Sequence, residues 1–206
     1  MQVFRFVCGL SPGIRESPLP AKRRLVIADL SFHIVDVVQN SVTAGADRVE
    51  ITIEVSRRND RIRLKISDNG RGMDSETAQL VQDPFYTTKS GKKVGLGIPL
   101  MKETALQCDG AFRLTSKLGK GTSIRAEYRL THIDTPPMGP VDETVFQLIA
   151  ATPDVDMVLA WITDAGRFAV STHEIREQIG EMSLTHPAVL SFLRKYLREN
   201  LERLPM

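Results

Sequence analysis

An α+β sandwich, with helices packed on one face of a mixed sheet, is the fold class this sequence predicts, and three observations predict it. Alternating apolar and polar residues run through VEITIEV (49–55) and RIRLKIS (61–67), and again through FRLTSKL (112–118) and SIRAEYRL (123–130). Each pair reads as an antiparallel hairpin. Apolar residues at helical spacing (Ile34, Val35, Val37, Val38, Val42) precede the first hairpin, and LGIPLMKETALQCDG (96–110) separates the two. The order α-β-β-α-α-β-β puts strands and helices in two layers.

Each element has a local reason. Ser31 stands before the first helical stripe as its expected start, and Gly45 ends it. Asn59 and Asp60 are turn residues between the first two strands. A Gly-bearing loop, DNGRGM (68–73), follows the second strand, and a short helix is expected from Ser75. Next comes the polar, Gly-rich TTKSGKKVG (87–95), then a helix that tolerates Pro99 in its first turn. Gly119 and Gly121 turn the second hairpin.

Residues 1–24, with Pro12, Pro18, Pro20, Gly9 and Gly13, read as an irregular tail. The main domain is expected over 25–133, and prolines 136, 137 and 140 make 134–140 a linker. A small α+β module is expected over 141–206: a helix from about Asp142, a hairpin over 156–172 turning at Asp164-Ala165-Gly166, a short helix with capping-box spacing (Ser171 to Glu174), and a last helix. The last helix carries Val189, Leu190, Leu193, Leu197, Leu201 and Leu204 on one stripe, expected to pack on the module's own hairpin.

The 206 residues suit one ordinary domain plus an extension. With 27 basic and 25 acidic residues, the net charge of +2 argues against a strongly basic nucleic-acid binder. Cys8 and Cys108 form neither a disulfide framework nor a zinc pattern, which favours a reducing, cytoplasmic setting. No apolar run approaches the ~20 residues of a spanning helix, so no membrane span is expected.

Three polar signatures sit in this frame. Asp36 and Asn40 lie one turn apart on the first helix, where a carboxylate and an amide oxygen suit Mg²⁺. Alone, the pair also fits an ordinary polar helix face. Asp68 ends a strand and can accept a hydrogen bond from an exocyclic amine, while Gly70 and Gly72 let backbone close around a ligand. Alone, that is also common turn chemistry. The third is PFYTTK (84–89) running into SGKKVGLGI (90–98): a Gly-rich loop entering a helix N-terminus suits phosphate, and Lys89, Lys92 and Lys93 add positive charge. A mobile surface loop is the plainer alternative.

Their order and spacing together closely resemble the ATP-binding domain shared by gyrase, the heat-shock chaperone, histidine kinases and the mismatch-repair ATPase, the GHKL superfamily of histidine kinase-like ATPases. HIVDVVQNSVTAGA (33–46) is similar to its N box, DNGRGM to its G1 box, PFYTTK and VGLGI to its F and G2 regions, and Gly119-x-Gly121-Thr122 to its closing motif. The resemblance implies the Bergerat ATP-binding fold, with ATP and Mg²⁺ as cofactors. It implies that Asn40 coordinates the metal, Asp68 holds the adenine amine, and Gly70, Gly72 and Met73 shape the pocket. It implies that Phe85, Thr87, Thr88 and Lys89 contact the nucleotide, Lys89 approaching the terminal phosphates from the lid. Gly95, Leu96 and Gly97 admit the phosphates at the helix start, and Thr122 supports the adenine–Asp68 contact, through water.

Asp36 stands where histidine kinases usually carry Asn, and where hydrolysing branches and anti-sigma serine kinases carry Glu as base. Asp36 and Lys89 are therefore the catalytic candidates. Lys93 departs from the usual G2 glycine. His33, inside the first helix, is expected to pack or to support a neighbouring site residue, and not to be a phosphoacceptor. The phosphoacceptor hairpin of a histidine kinase is not expected in the Pro-bearing stretch before that helix. The layout also resembles stand-alone ATP-binding proteins of bacterial iron-only hydrogenase clusters, which implies a cytoplasmic regulatory or assembly role. A kinase-like transfer to a separate protein, hydrogenase-related or response-regulator-like, is the leading expectation. An ATP-hydrolysing switch or assembly factor, an anti-sigma-type serine kinase, and a nucleotide-binding module without chemistry stay open. Neither nucleic acid nor membrane is an expected partner.

Overall fold

Alternation in the first two strands turns Val49, Ile51, Ile53, Val55, Ile62, Leu64 and Ile66 to one side, none of them more than 3% exposed. The computed structural model describes residues 29–84 and 96–206. Its elements are α1 (Leu30–Thr43), β1 (Arg48–Ser56), β2 (Arg61–Asp68), α2 (Ser75–Leu80), α3 (Gly97–Gln107), β3 (Ala111–Lys117) and β4 (Gly121–Arg129). The C-terminal part adds α4 (Val141–Ala151), β5 (Asp156–Thr163), β6 (Gly166–Ser171), α5 (Thr172–Ile179) and α6 (Pro187–Glu202). The expected tail over 1–24 lies outside the described residues.

The six strands make one mixed sheet in the order β3-β4-β2-β1-β5-β6. All neighbours are antiparallel except β1 and β5, which run parallel from Arg48↔Asp156 to Val55↔Thr163. The expected α+β class with a mixed sheet is therefore what the chain forms. The C-terminal hairpin continues the main sheet through β1. Two further contacts fasten it there. Asp156 N–H donates to Asp47 O at 2.7 Å. The Asp164 carboxylate in the β5–β6 turn accepts from Ser56 Oγ and from the N–H groups of Arg57 and Arg58, at 2.8–3.1 Å. These donors, Arg58 N–H first, hold its pKa below the usual carboxylate range, with desolvation opposing them.

Inward side chains of the sheet form one apolar cluster with Leu30, Ile34 and Val38 of α1, Met101 and Ala105 of α3, Val145 of α4, and Leu193 and Leu197 of α6. The last helix thus packs into the common core, against α4 as well as the hairpin: Phe168 of β6 meets Tyr196 edge-on at 5.5 Å.

Two helix starts differ from the sequence expectation. Asp29, not Ser31, caps α1, its carboxylate accepting from Phe32 N–H at 2.9 Å, a contact worth ~1 kcal/mol in typical helices. The next two donors of that turn, Leu30 N–H and Ser31 N–H, reach the carbonyls of Pro137 and Met138, and Ser31 Oγ also donates to Met138 O at 2.8 Å. The Pro-rich segment over 134–140 supplies acceptors that the first helix lacks. The capping box expected at Ser171 is not formed, since Ser171 makes no side-chain cap bond. Thr172 Oγ1 instead accepts from Met157 N–H at 2.8 Å, tying α5 to β5.

Candidate functional site

Asp68 is the last residue of β2, half-buried beside α1. Its carboxylate accepts three hydrogen bonds: from Ser41 Oγ at 2.8 Å, from Gly70 N–H at 2.9 Å and from Thr122 N–H at 3.2 Å. Donors from α1, the following loop and the start of β4 fix its orientation, so no rotamer entropy is left for a ligand to quench.

The loop after Asp68 closes onto the β3–β4 turn. Gly121 has φ +86°, and an added Cβ would lie 1.9 Å from Asp68 O. Gly72, at φ +65°, would place a Cβ 2.0 Å from Lys117 O. Backbone passes backbone at both points, and only glycine fits. Gly119 N–H donates to Arg71 O at 2.7 Å, and Met73 N–H donates to Ser116 Oγ at 2.8 Å. The two Gly-bearing segments, about 50 residues apart in sequence, are thus one unit. Gly70 is buried against Ala44, where a Cβ would stand 3.0 Å from Ala44 O.

Thr122 reaches Asp68 directly through its N–H, while its hydroxyl pairs with Ser116 Oγ at 2.8 Å. Its contact with Asp68 is therefore a backbone one. Ser41 is the residue that sequence reasoning left out of the site. Ser41 sits five residues after Asp36 in the N-box pattern, yet a serine there carries no signal of its own.

At the other end, α3 begins at Gly97 against α1. A Cβ on Gly97 would come 2.8 Å from both Cβ and Oδ2 of Asp36. The Asp36 carboxylate therefore lies at the N-terminus of α3, whose N-cap Leu96 offers no side-chain cap. Asn40 is half-buried one turn further along α1, and among the described residues its amide has no hydrogen-bond partner. His33 is buried at 3% exposure, with Nδ1 lacking a partner among the described residues. Burial lowers its pKa, disfavouring the charged ring, and Asp29 partly opposes this. The expectations for Phe85, Thr87, Thr88, Lys89, Lys92, Lys93 and Gly95 lie outside the described residues.

The sandwich, the Asp68 clamp and the interlocked glycines define the class of an ATP-binding GHKL domain. Residues 27–132, just over half of the chain, match the family described as "Histidine kinase-, DNA gyrase B-, and HSP90-like ATPase", and the chain belongs to that family. It is similar to a "Putative sensor protein" of Shewanella frigidimarina, 33% identical over 103 residues, covering 49% of this chain and 16% of that one. It is similar to the "Sensor histidine kinase YxdK" of Bacillus subtilis, 33% identical over 106 residues, 48% of this chain and 32% of the relative. It also resembles the "DNA mismatch repair protein MutL" of Thermotoga maritima, 41% identical over 64 residues, 31% of this chain and 12% of the relative. The chain spans less than a third of the length of these curated relatives. Among the described residues no helix is long and apolar enough to cross a membrane.

Proposed function

We propose that this chain binds Mg-ATP between α1 and α3 and passes the terminal phosphoryl group to a separate protein, hydrogenase-related or response-regulator-like. The observation that carries the reading is Asp36 lying against the first residue of α3, on the α1 face that also bears Asn40. A helix N-terminus attracts phosphate, and a carboxylate beside it can take a proton from an attacking group. Asp68 accepts the adenine amine, its other lone pairs being already engaged by Ser41, Gly70 and Thr122.

The residues suit Mg²⁺. Among the described residues no cluster of three or more His, Cys, Asp or Glu side chains converges on a metal, so a protein-only cage is not what the site offers. One amide oxygen from Asn40 fits an ion that keeps phosphate and water ligands. When bound, Mg²⁺ would neutralise phosphate charge. Asn40 would hold it on the α1 side. Asp36 would accept the proton of the attacking hydroxyl or water as the new bond to phosphorus forms and the bond to the bridging oxygen breaks.

Incubation with γ-labelled ATP and candidate partners is expected to label one partner protein. Steady phosphate release with no labelled partner would overturn transfer and favour the second reading, an ATP-hydrolysing switch. The match to MutL and the carboxylate at Asp36 support that second reading. In either case Asp36→Asn should lower turnover by ~10²-fold or more while Mg-ATP still binds. Undiminished turnover in that variant would remove Asp36 from the chemistry.

A further inference from the structure

The sheet face opposite the helices carries a row of three cations with no carboxylate between them. In register, Arg113 of β3 faces Arg125 of β4, and Arg125 faces Lys65 of β2. Neighbouring strands lie about 4.8 Å apart, so the three side chains stand directly opposite one another and repel.

Their neighbours are arranged differently. Arg63 donates to Glu127 and to Glu54, both at 2.9 Å; Arg61 donates to Glu127 at 2.9 Å; Arg129 donates to Asp60 at 2.9 Å; Arg48 donates to Glu50 at 3.0 Å. Among the described residues Lys65, Arg113 and Arg125 have no such partner. On one side the next row is Thr115, Ser123 and Ser67, three hydroxyls that end at Glu50 of β1. On the other, Ala111 is too small to cover Arg113, and an open groove of about 400 Å³ runs between the cationic row and the ion-paired Glu127–Arg63–Glu54 row.

We propose that this row is a docking site for an acidic segment of a partner protein, whose carboxylates lie along Lys65, Arg125 and Arg113. Charge complementarity selects the occupant. Three like charges opposed across strands cost folding stability, and a carboxylate-bearing segment relieves that cost. The row spans only three strands and ends at Thr52 on β1. Glu54, Glu127 and Glu50 flank it and repel an anion that extends past the row, which limits the occupant to a short acidic segment and disfavours a long polyphosphate strand. The row lies on the face away from α1 and α3, so acidic docking there needs no step of the phosphotransfer reading.

The test uses the full chain and fluorescein-labelled hexaglutamate, read by fluorescence anisotropy. Binding is expected, weakening as salt rises and falling ~10-fold in Arg125→Glu. The same variant is expected to melt ~2 °C higher, because the introduced carboxylate would pair with Arg113 and Lys65. Its Mg-ATP affinity should be unchanged, so loss of peptide binding and failure of the nucleotide reading remain separate results. Three outcomes would overturn the proposal: hexaglutamate binding equally well to the variant, a thymidine hexanucleotide binding more tightly than hexaglutamate, or a lower melting temperature for Arg125→Glu.

Discussion

The two ends of the candidate site are built on opposite plans. At the Asp68 end every polar group that matters already has a protein partner: the carboxylate has three donors, and the loops around it are locked backbone to backbone through Gly72 and Gly121. At the α3 end the Asn40 amide has no hydrogen-bond partner among the described residues, and the helix start has no side-chain cap. The first end is preorganised by folding, whereas at the second the Asn40 amide keeps its hydrogen-bonding capacity unspent on the described residues. Substitutions at the Asp68 end should therefore cost stability as well as binding, whereas those at the α3 end should cost binding alone.

The strongest way to break the contrast is Gly121→Ala. Its Cβ would press on Asp68 O from a left-handed backbone, and a loss of about 4 kcal/mol in urea unfolding is expected. Gly119→Ala in the same turn meets no atom within 4 Å and should cost only about 1 kcal/mol, despite φ +70°. Equal costs would mean that close approach does not hold the two loops together.

A second pair sharpens the division. Asp68→Asn keeps an oxygen for Gly70 and Thr122, and the Ser41 hydroxyl has Val37 O at 3.2 Å as its other acceptor. Stability should fall by about 1 kcal/mol, but the new amide would present N–H to the adenine amine, and calorimetry should show ~10²-fold weaker nucleotide binding. Asn40→Ala should leave unfolding within ~0.5 kcal/mol of wild type and weaken Mg-ATP binding by ~10-fold or more. If Asn40→Ala destabilises the fold as much as Gly121→Ala does, the α3 end is structural too.

The smallest effect tests whether α1 carries a charge near the site. Burial holds the pKa of His33 below the ordinary 6.5, with Asp29 opposing. The unfolded chain then takes up the proton first as the pH falls. His33 contributes no pH dependence above about pH 7, and stability declines as the pH drops through the unfolded value. Urea unfolding between about pH 7 and 5.5 should show a shallower decline in His33→Leu than in wild type. A steeper decline in the variant would mean that His33 is charged in the folded state.

Much of this was legible in the chain itself. Period-2 alternation located β1 to β4 because each strand has one buried and one wet face. The N-box and G1 motifs fell on α1 and the end of β2, as their spacing implies, and Gly97 opens α3. Asp68 was legible as a strand-ending acceptor. Its three donors were not, because Ser41 and the N–H of Thr122 converge on it from 27 and 54 residues away. The true cap of α1 was missed because both Asp29 and Ser31 suit that role, and Ser31 Oγ is engaged instead by Met138 O, more than 100 residues downstream.

The sequence by itself determined the helices, the hairpins, the order of the nucleotide motifs and the small net charge, because these follow from local periodicity and residue chemistry. Tertiary structure alone decided that β5 runs parallel beside β1, that Gly121 must pass within contact of Asp68, and that Arg113, Arg125 and Lys65 share one row. Register between strands is set by which faces can be buried together, so residues far apart in the chain acquire neighbours that no local pattern names.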